Sequence, residues 1–425
     1  MYDQASNFIT GGVHSGFRYR TPYPIYFARA AGARMWDIEG KEYLDCLVSN
    51  GACILGHGDP GVTRAVREQL ETGLTVGLES ELSVEVAFLL HQMIPSAEIV
   101  KFSNTGTEAV VHALQIARGY SGRQKIIKME GGYNGWFDDM QVSVHPDPKG
   151  KFANEPLPES EGLVSDISSR VSIVPFNDAA SVEAVLKRNR GEFAAVIVEP
   201  VMFNSGCVLP REGYLDELKE ITEKNDVLLI FDEVITGFRM APGGAQEFYS
   251  VKPDISIFAK AIANGFPLSA VVGLREVMEV TTPGKGRVAF SGTYNGSQPS
   301  LAAAKATLKA IGNGEVQKRL HSASDLLSKG FNKLAAEEKL VAKMVGIGGQ
   351  FQPYFTDARV TDYRSAASSD AKRYSVFVKT LLDLNVLFHQ SYLFHHGVSA
   401  AHTKKDYDEI LRSFELGLRQ VKAEA

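Results

Sequence analysis

The sequence predicts an α/β protein: a large lobe built on a mostly parallel sheet flanked by helices, joined to a smaller α+β lobe. Three observations predict it. Between residues 97 and 258, short apolar runs alternate with amphipathic stretches, as strand–helix–strand units require. Ala194-Ala195-Val196-Ile197-Val198 and Val227-Leu228-Leu229-Ile230-Phe231 are continuous apolar runs, the pattern of strands covered on both faces. Beyond about residue 300 the texture changes to Ala- and Lys-rich helical stretches. A chain of 425 residues is also too long for one typical core.

The elements follow in order. Residues 1–60 form a distinct segment, rich in Gly, Pro and Tyr, with a short strand over 34–38; it is expected to pack with the small lobe. A helix is expected over 62–69. Residues 98–102 read as a strand. Ala109, Val110, Ala113, Leu114 and Ala117 then recur at helical spacing. Further strands are expected over 125–128, 171–174 and 255–258, with a helix over 214–224. The large lobe closes near residue 300, giving 61–300. Residues 301–425 make the small lobe, with helices over 301–311, 315–338 and 407–421. Between 138 and 170 the pattern breaks, with Pro146, Pro148, Pro156 and Pro158 among polar residues. A long loop inside a compact domain is usually functional or mobile, although a tolerated surface insertion reads the same.

Composition excludes several function classes. Apolar residues make up 44% and charged residues 22%, so the chain can bury a large core and is neither disordered nor fibrous. The 45 basic residues are outnumbered by 50 acidic ones, for a net charge of −5, and no long basic run exists. A nucleic-acid or anionic-membrane surface is therefore not expected. No apolar stretch reaches bilayer-spanning length, and residues 1–20 have no apolar core that would serve as a secretory signal. Cys46, Cys53 and Cys207 are too few for a disulfide framework and fit a reducing compartment. A cytoplasmic enzyme is the expectation.

Gly56-His57-Gly58-Asp59-Pro60-Gly61 matches the G-x-G-x-x-G dinucleotide pattern. That pattern needs a strand before it, and Ser49-Asn50-Gly51 interrupts any such strand. Pro60 also changes the turn. The expected reading is a tight turn that opens a helix.

Four other pieces sit at or just past strand ends, where α/β sheets place ligands. Ser103-Asn104-Thr105-Gly106-Thr107-Glu108-Ala109 follows a strand and opens a helix. Its unpaired N–H groups, the small Gly106 and the Thr107 hydroxyl suit a phosphate, although an ordinary helix cap reads alike. Gly131-Gly132-Tyr133-Asn134-Gly135 puts an aromatic ring in a glycine-rich turn, free to stack on a flat cofactor or to pack in the core. Asp232 ends an apolar strand as a metal ligand, a cap or the partner of a cationic ring nitrogen. Lys260 follows another strand in an apolar context. Burial would lower its pKa and make it a nucleophile able to form a Schiff base, unless it snorkels to solvent. In that order, an anion cradle, a stacking ring, a carboxylate and a lysine are what pyridoxal 5'-phosphate requires.

On these residues the chain resembles the class III aminotransferases of the fold-type I pyridoxal-phosphate superfamily. The resemblance covers nearly the whole chain. It rests on Leu55-Gly56-His57-Gly58-Asp59-Pro60, Asn104 to Ala109, Glu199-Pro200-Val201, Leu229 to Arg239, and Pro253-Asp254 through Lys260. Within that family the pattern is close to the glutamate-1-semialdehyde aminomutases. The resemblance implies Lys260 as Schiff-base lysine and proton shuttle, and Asp232 as partner of the pyridine nitrogen. It implies Val234 and Tyr133 on the two ring faces, Gly106 and Thr107 on the phosphate, and Asn204 at the ring oxygen. Glu199 belongs to a motif but receives no defined role. Thr293 would reach the phosphate of a neighbouring subunit, which implies a homodimer.

For the substrate, Gly11 to Arg18 resembles the aminomutase N-terminal segment. The resemblance implies that Arg18 holds a substrate carboxylate, with Arg20 as the alternative and a surface arginine as the other reading. Ser15 and His395 are placed with it at the substrate. His389, His395, His396 and His402 cluster late in the chain; a pocket wall is expected rather than a metal site, since no carboxylate or cysteine joins them at ligand spacing. Three departures from the family pattern stand out. Thr105 replaces a serine. Ala261-Ile262-Ala263-Asn264-Gly265 replaces a glycine-rich run. Phe394 falls where the aminomutases carry a glutamate, which argues for a substrate with a larger apolar or aromatic portion. The expected activity is transfer of an amino group between small amino and oxo substrates. An intramolecular aminomutase and a non-catalytic cofactor-binding scaffold are the alternatives.

Overall fold

Seven strands form the central sheet, in the order Ile99–Ser103, Ser269–Gly273, Ile255–Phe258, Leu228–Asp232, Phe193–Val198, Lys125–Met129 and Val171–Val174. This is a computed structural model, and it describes all residues except 76, 151, 153 and 425. From Val171–Val174 across to Ile255–Phe258 every pairing is parallel. Ser269–Gly273 alone runs antiparallel to both its neighbours.

The apolar runs explain how the sheet is buried. All six residues of Phe193–Val198 are buried. Successive side chains point to opposite faces. Ala195, Ile197 and Ile230 therefore pack with Ala109, Val110, Ala113, Leu114 and Ala117 of the helix Gly106–Ser121. Val196, Val198, Leu229 and Phe231 pack on the other face with Val182 and Leu186 of Ala179–Arg188, and with Leu215 and Leu218 of Tyr214–Lys224. The sheet is thus sandwiched, as the doubly buried strands require.

Two further sheets lie outside this sandwich. Lys343–Ile347, Gln350–Tyr354 and His396–Gly397 form an antiparallel sheet. Phe27–Ala31, Arg34–Asp37, Glu42–Asp45 and Val386–Leu387 form another. Val386–Leu387 lies parallel to Glu42–Asp45, so an early segment and a late one share a sheet. The long helices Gln298–Ile311, Glu315–Glu337 and Lys404–Ala423 lie where helical spacing places them. Sequence reading missed Ser269–Gly273, Glu81–Met93, Ala179–Arg188 and Ala371–Asp383. The first is a five-residue apolar run too short to show a period, and its direction depends wholly on its neighbours.

The dinucleotide-like motif is a capped turn. Asp59 accepts hydrogen bonds from the N–H groups of Gly61 (2.9 Å) and Val62 (3.0 Å), and Pro60 occupies the first turn of the helix Pro60–Leu70. Gly56 has φ of +96°, and a Cβ there would lie 2.5 Å from the Ala401 side chain. Packing against Ala401 is what calls for glycine at this position.

The 138–170 segment carries one short 3-10 turn, Ile167–Ser169, and little other regular structure; residues 151 and 153 of it lie outside the described set. It is nevertheless tied down. Ser143 N–H donates to the Leu157 carbonyl at 2.7 Å, and Arg170 pairs with Asp139 at 3.1 Å. Among the described residues, no helix is long and apolar enough to cross a membrane.

Candidate active site

Four adjacent parallel strands end on one side of the sheet, and the chain just past each end supplies the polar groups of one cavity. Lys125–Met129 leads to Tyr133, Phe193–Val198 to Glu199, Leu228–Asp232 ends in Asp232, and Ile255–Phe258 leads to Lys260. The cavity has a volume of about 330 Å³. Gly106, Thr107, Tyr133, Asn204, Asp232, Val234 and Lys260 all line it.

The helix Gly106–Ser121 opens at one end of this cavity. Thr105 caps it, its hydroxyl accepting from Glu108 N–H at 3.2 Å, while the Glu108 carboxylate accepts from Asn104 N–H at 2.7 Å. The next N–H groups, of Gly106 and Thr107, have no partner within the helix. Gly106 leaves this turn open: a Cβ there would lie 3.2 Å from the Val234 side chain and crowd it. The cap and the anion cradle therefore occur together at this turn.

At the other end, Asp232 Oδ2 accepts from Asn134 Nδ2 at 2.8 Å and Oδ1 accepts from Val234 N–H at 3.1 Å. Burial pushes this carboxyl up from the ordinary aspartate range, against the pull of those bonds and of Lys260. A cation placed against it reverses that shift. Glu199 is shaped by the same forces. Its Oε1 accepts from Tyr133 N–H at 3.0 Å and its Oε2 from Asn204 Nδ2 at 2.9 Å. Burial first, and then the charge of Asp232, push it up to about 8.

Lys260 sits in the left-handed backbone region, with φ of +48°, a strained choice for a residue with a side chain. Burial lowers its amine to about 8, while Glu199 and Asp232 pull it upward. A large fraction of the amine is therefore neutral near pH 8. Carbamylation of Lys260 by cyanate in the apoprotein, followed by peptide mass analysis, is expected to rise with pH and reach half its plateau near 8. An ordinary lysine reaches it near ~10.4.

Three supporting residues escaped sequence reading. Glu199 and Asn134 were visible in motifs, but only the folded chain shows that Glu199 holds Tyr133 and Asn204, and that Asn134 holds Asp232. Lys128 reads as an ordinary strand charge. It is wholly buried, and its Nζ donates to the carbonyls of Gly132 (2.7 Å) and Val142 (2.8 Å). It thereby ties the turn that carries Tyr133 to the start of the 138–170 segment. No signal in the sequence separates it from a solvated lysine.

The remaining expected site residues lie elsewhere. Thr293 is exposed and does not line this cavity; Asn295, two residues on, accepts from Asn104 Nδ2 at 3.2 Å. Ser15 lines a second cavity of about 900 Å³, which shares Tyr133 with the first. Arg18 is exposed and outside that lining, whereas Arg20 is buried and within it. Arg18 ends the 3-10 turn Gly16–Arg18 on the exposed side, and the chain is extended at Tyr19 before Arg20 turns inward. His395 is buried and lines neither cavity; its Nδ1 lies 3.0 Å from the Phe203 carbonyl. Among the described residues, no group of three His, Cys, Asp or Glu side chains is placed to hold a metal.

The cavity's donor set fits pyridoxal 5'-phosphate. It offers helix N–H groups for an anion, a buried carboxyl that calls for a cation, an aromatic ring, and an amine at lowered pKa. The wider comparisons agree. The sequence profile of the family described as aminotransferase class-III matches residues 17–390. A glutamate-1-semialdehyde 2,1-aminomutase of Methanocaldococcus jannaschii is 38% identical over 98% of this chain and 96% of its own length. The crystal structure of an omega-transaminase from Sphaerobacter thermophilus superposes with a TM-score of 0.94 at 30% identity, covering 99% of this chain and 96% of that one. A beta-phenylalanine aminotransferase from Variovorax paradoxus follows at 0.88 and 27%, covering 98% and 92%. The chain belongs to the class III aminotransferases, enzymes of fold type I whose cofactor is pyridoxal 5'-phosphate.

Proposed function

We propose that Lys260 is the amine through which this enzyme holds its cofactor and moves an amino group from an amine or amino-acid donor to an oxo acceptor. The observation that carries this reading is the convergence of Lys260, Asp232 and the Gly106–Thr107 helix terminus on one cavity. When bound, the cofactor supplies a carbonyl carbon that amines condense with and a ring that withdraws electrons. The chain's own residues do the rest. Gly106 and Thr107 would bind the phosphate. Tyr133 and Val234 would hold the ring, and Asn204 would meet its oxygen. Asp232 would keep the ring nitrogen protonated. Lys260 Nζ would take the proton from the substrate's amine-bearing carbon as general base and return it as general acid. Glu199 positions Tyr133 and Asn204 and touches no reacting atom.

In this reading residues 61–300 supply the cofactor lobe and 301–425 a small lobe on which 1–60 packs. The enzyme works as a homodimer in which Thr293 reaches the partner's phosphate. Its exposure away from its own cavity supports that role, as do the large apolar side chains of Phe8, Leu74, Leu78 and Phe88 left exposed on one chain. Cys46, Cys53 and Cys207 are free and buried, which supports a reducing cytoplasm. Two structural relatives carry names for ω- and β-amino chemistry. Those names support a donor whose amine lies beyond the α-carbon.

The test is a half-reaction. The cofactor's near-visible absorbance is expected to fall when purified holoenzyme meets a competent amine and to recover with a 2-oxo acid. An enzyme that responds to no amine and no oxo acid overturns the reading. A second reading, intramolecular amino transfer, is favoured by the name of the M. jannaschii relative. Retention of the substrate's own nitrogen in the product, despite a labelled external donor, would establish it instead.

A further inference from the structure

The turn that carries Tyr133 runs from Glu130 to Asn134, and each of its residues is held by a different side chain. Ser205 Oγ donates to the Gly131 carbonyl at 2.9 Å. Lys128 Nζ donates to the Gly132 carbonyl, Glu199 accepts from Tyr133 N–H, and Asp232 accepts from Asn134 Nδ2. Those holders all come from residues 128–232, the strands and strand ends of the central sheet. The holder of Glu130 comes from much later in the chain. Glu130 is 4% exposed; its Oε1 accepts from Arg364 Nη2 at 2.8 Å and its Oε2 from Arg364 Nε at 2.9 Å. Among the described residues no other cation lies within ion-pair distance of Glu130.

Arg364 lies on the short helix Tyr363–Ala367, between the strand Gln350–Tyr354 and the helix Ala371–Asp383. Asp362 caps this helix, its carboxylate accepting from Ser365 N–H at 2.7 Å, and the Thr361 carbonyl accepts from Asn177 Nδ2 at 2.7 Å. These bonds fix the backbone from which Arg364 reaches. Tyr363 turns into the core with Met129 and Val174, and a Cβ on Gly131 would lie 2.5 Å from its side chain. The Tyr363 hydroxyl donates to the Pro146 carbonyl at 2.6 Å, and Arg364 Nη1 donates to the Gly150 carbonyl. One short helix therefore grips both the Tyr133 turn and the segment that follows it.

Packing alone does not call for such a pair. A carboxylate buried against an arginine gains little stability over an apolar pair of similar size. A fork of two parallel hydrogen bonds adds direction, because both oxygens must face both N–H groups. Here it fixes the turn just before Tyr133, whose side chain lines both cavities. Neither Glu130 nor Arg364 lines either one.

We propose that Arg364 is a positioning residue for amino transfer: its fork on Glu130 sets the Tyr133 ring against the cofactor and ties that ring face to the late part of the chain. This rests on the aminotransferase reading and on Tyr133 stacking on the cofactor. Arg364 acts through Tyr133 and touches neither substrate nor cofactor.

The experiment is run on the holoenzyme. Arg364→Met leaves Glu130 buried without a partner, so the double variant Arg364→Met/Glu130→Gln, which removes both charges, is made beside it. Both are expected to lower kcat about 10–100-fold, the cost of a misplaced group near the reacting centre, with KM within about threefold. The visible circular dichroism of the bound cofactor, which reports how its ring is held, should weaken with them. Arg364→Lys keeps the charge without the fork and should recover part of both. The decisive arm is Tyr133→Leu. In that background the double variant should cost less than about twofold more, because the ring it places is gone. Losses that multiply would show Arg364 acting apart from Tyr133 and overturn the proposal. So would a rise in KM alone, or kcat and dichroism unchanged in the double variant, whatever its thermal stability. The dichroism needs no substrate: a Tyr133-dependent change in an enzyme that transfers no amine would uphold the positioning role and overturn the transfer reading.

Discussion

Lys260→Ala is expected to lower turnover by about 10²–10⁴-fold, the contribution of one positioned acid–base group. The other buried cations do not replace it. The other buried lysine, Lys128, lies behind the Tyr133 turn with its Nζ committed to the Gly132 and Val142 carbonyls. Arg239 is close enough to depress the Lys260 pKa but remains protonated at working pH and cannot act as a base. The measurement is single-turnover absorbance with a competent amine, with bound cofactor quantified in parallel so that lost binding is not mistaken for lost proton transfer. Added methylamine should restore part of the rate by supplying the missing base. Full turnover by Lys260→Ala would remove this lysine from the mechanism.

Asp232→Asn is expected to cost about 10²–10³-fold in turnover, the scale of one lost preorganised electrostatic partner. The amide keeps the size of the side chain but cannot hold a positive ring nitrogen. It also reverses the logic of the Asn134 contact, which donates to Asp232 Oδ2 at 2.8 Å. A linked effect makes the prediction specific. Asp232 pulls the Lys260 amine upward and pushes the Glu199 carboxyl upward. Without its charge both pKa values should fall. The midpoint of Lys260 carbamylation in the apoprotein should therefore move below about 8. An unchanged midpoint, with activity intact, would place the charge of Asp232 outside the site.

The resemblance singled out residues that do line one cavity, and the reason is physical. Gly106, Thr107, Tyr133, Asp232 and Lys260 each lie at or within a few residues of a strand end, and strand ends of buried parallel sheets are legible as the close of continuous apolar runs. Residues placed by loops were less legible. The two candidates Arg18 and Arg20 differ by two positions in a segment of 3-10 turn and extended chain. Neither hydrophobic period nor composition says which one turns inward. Lys128 is the converse case: its sequence context is that of a surface charge, and two distant carbonyls make it an interior one.

By itself, then, the sequence determined the α/β class and six of the seven strands of the central sheet, because burial writes a period and an apolar run into local residues, and its family resemblance named the residues expected at the cofactor. The tertiary structure alone decided which strand runs antiparallel and how Glu199 and Asn134 brace their neighbours. It also decided that Arg20 turns inward and that Arg364 closes on Glu130. Those facts depend on contacts between residues far apart in the chain, where no local pattern of side chains carries the information.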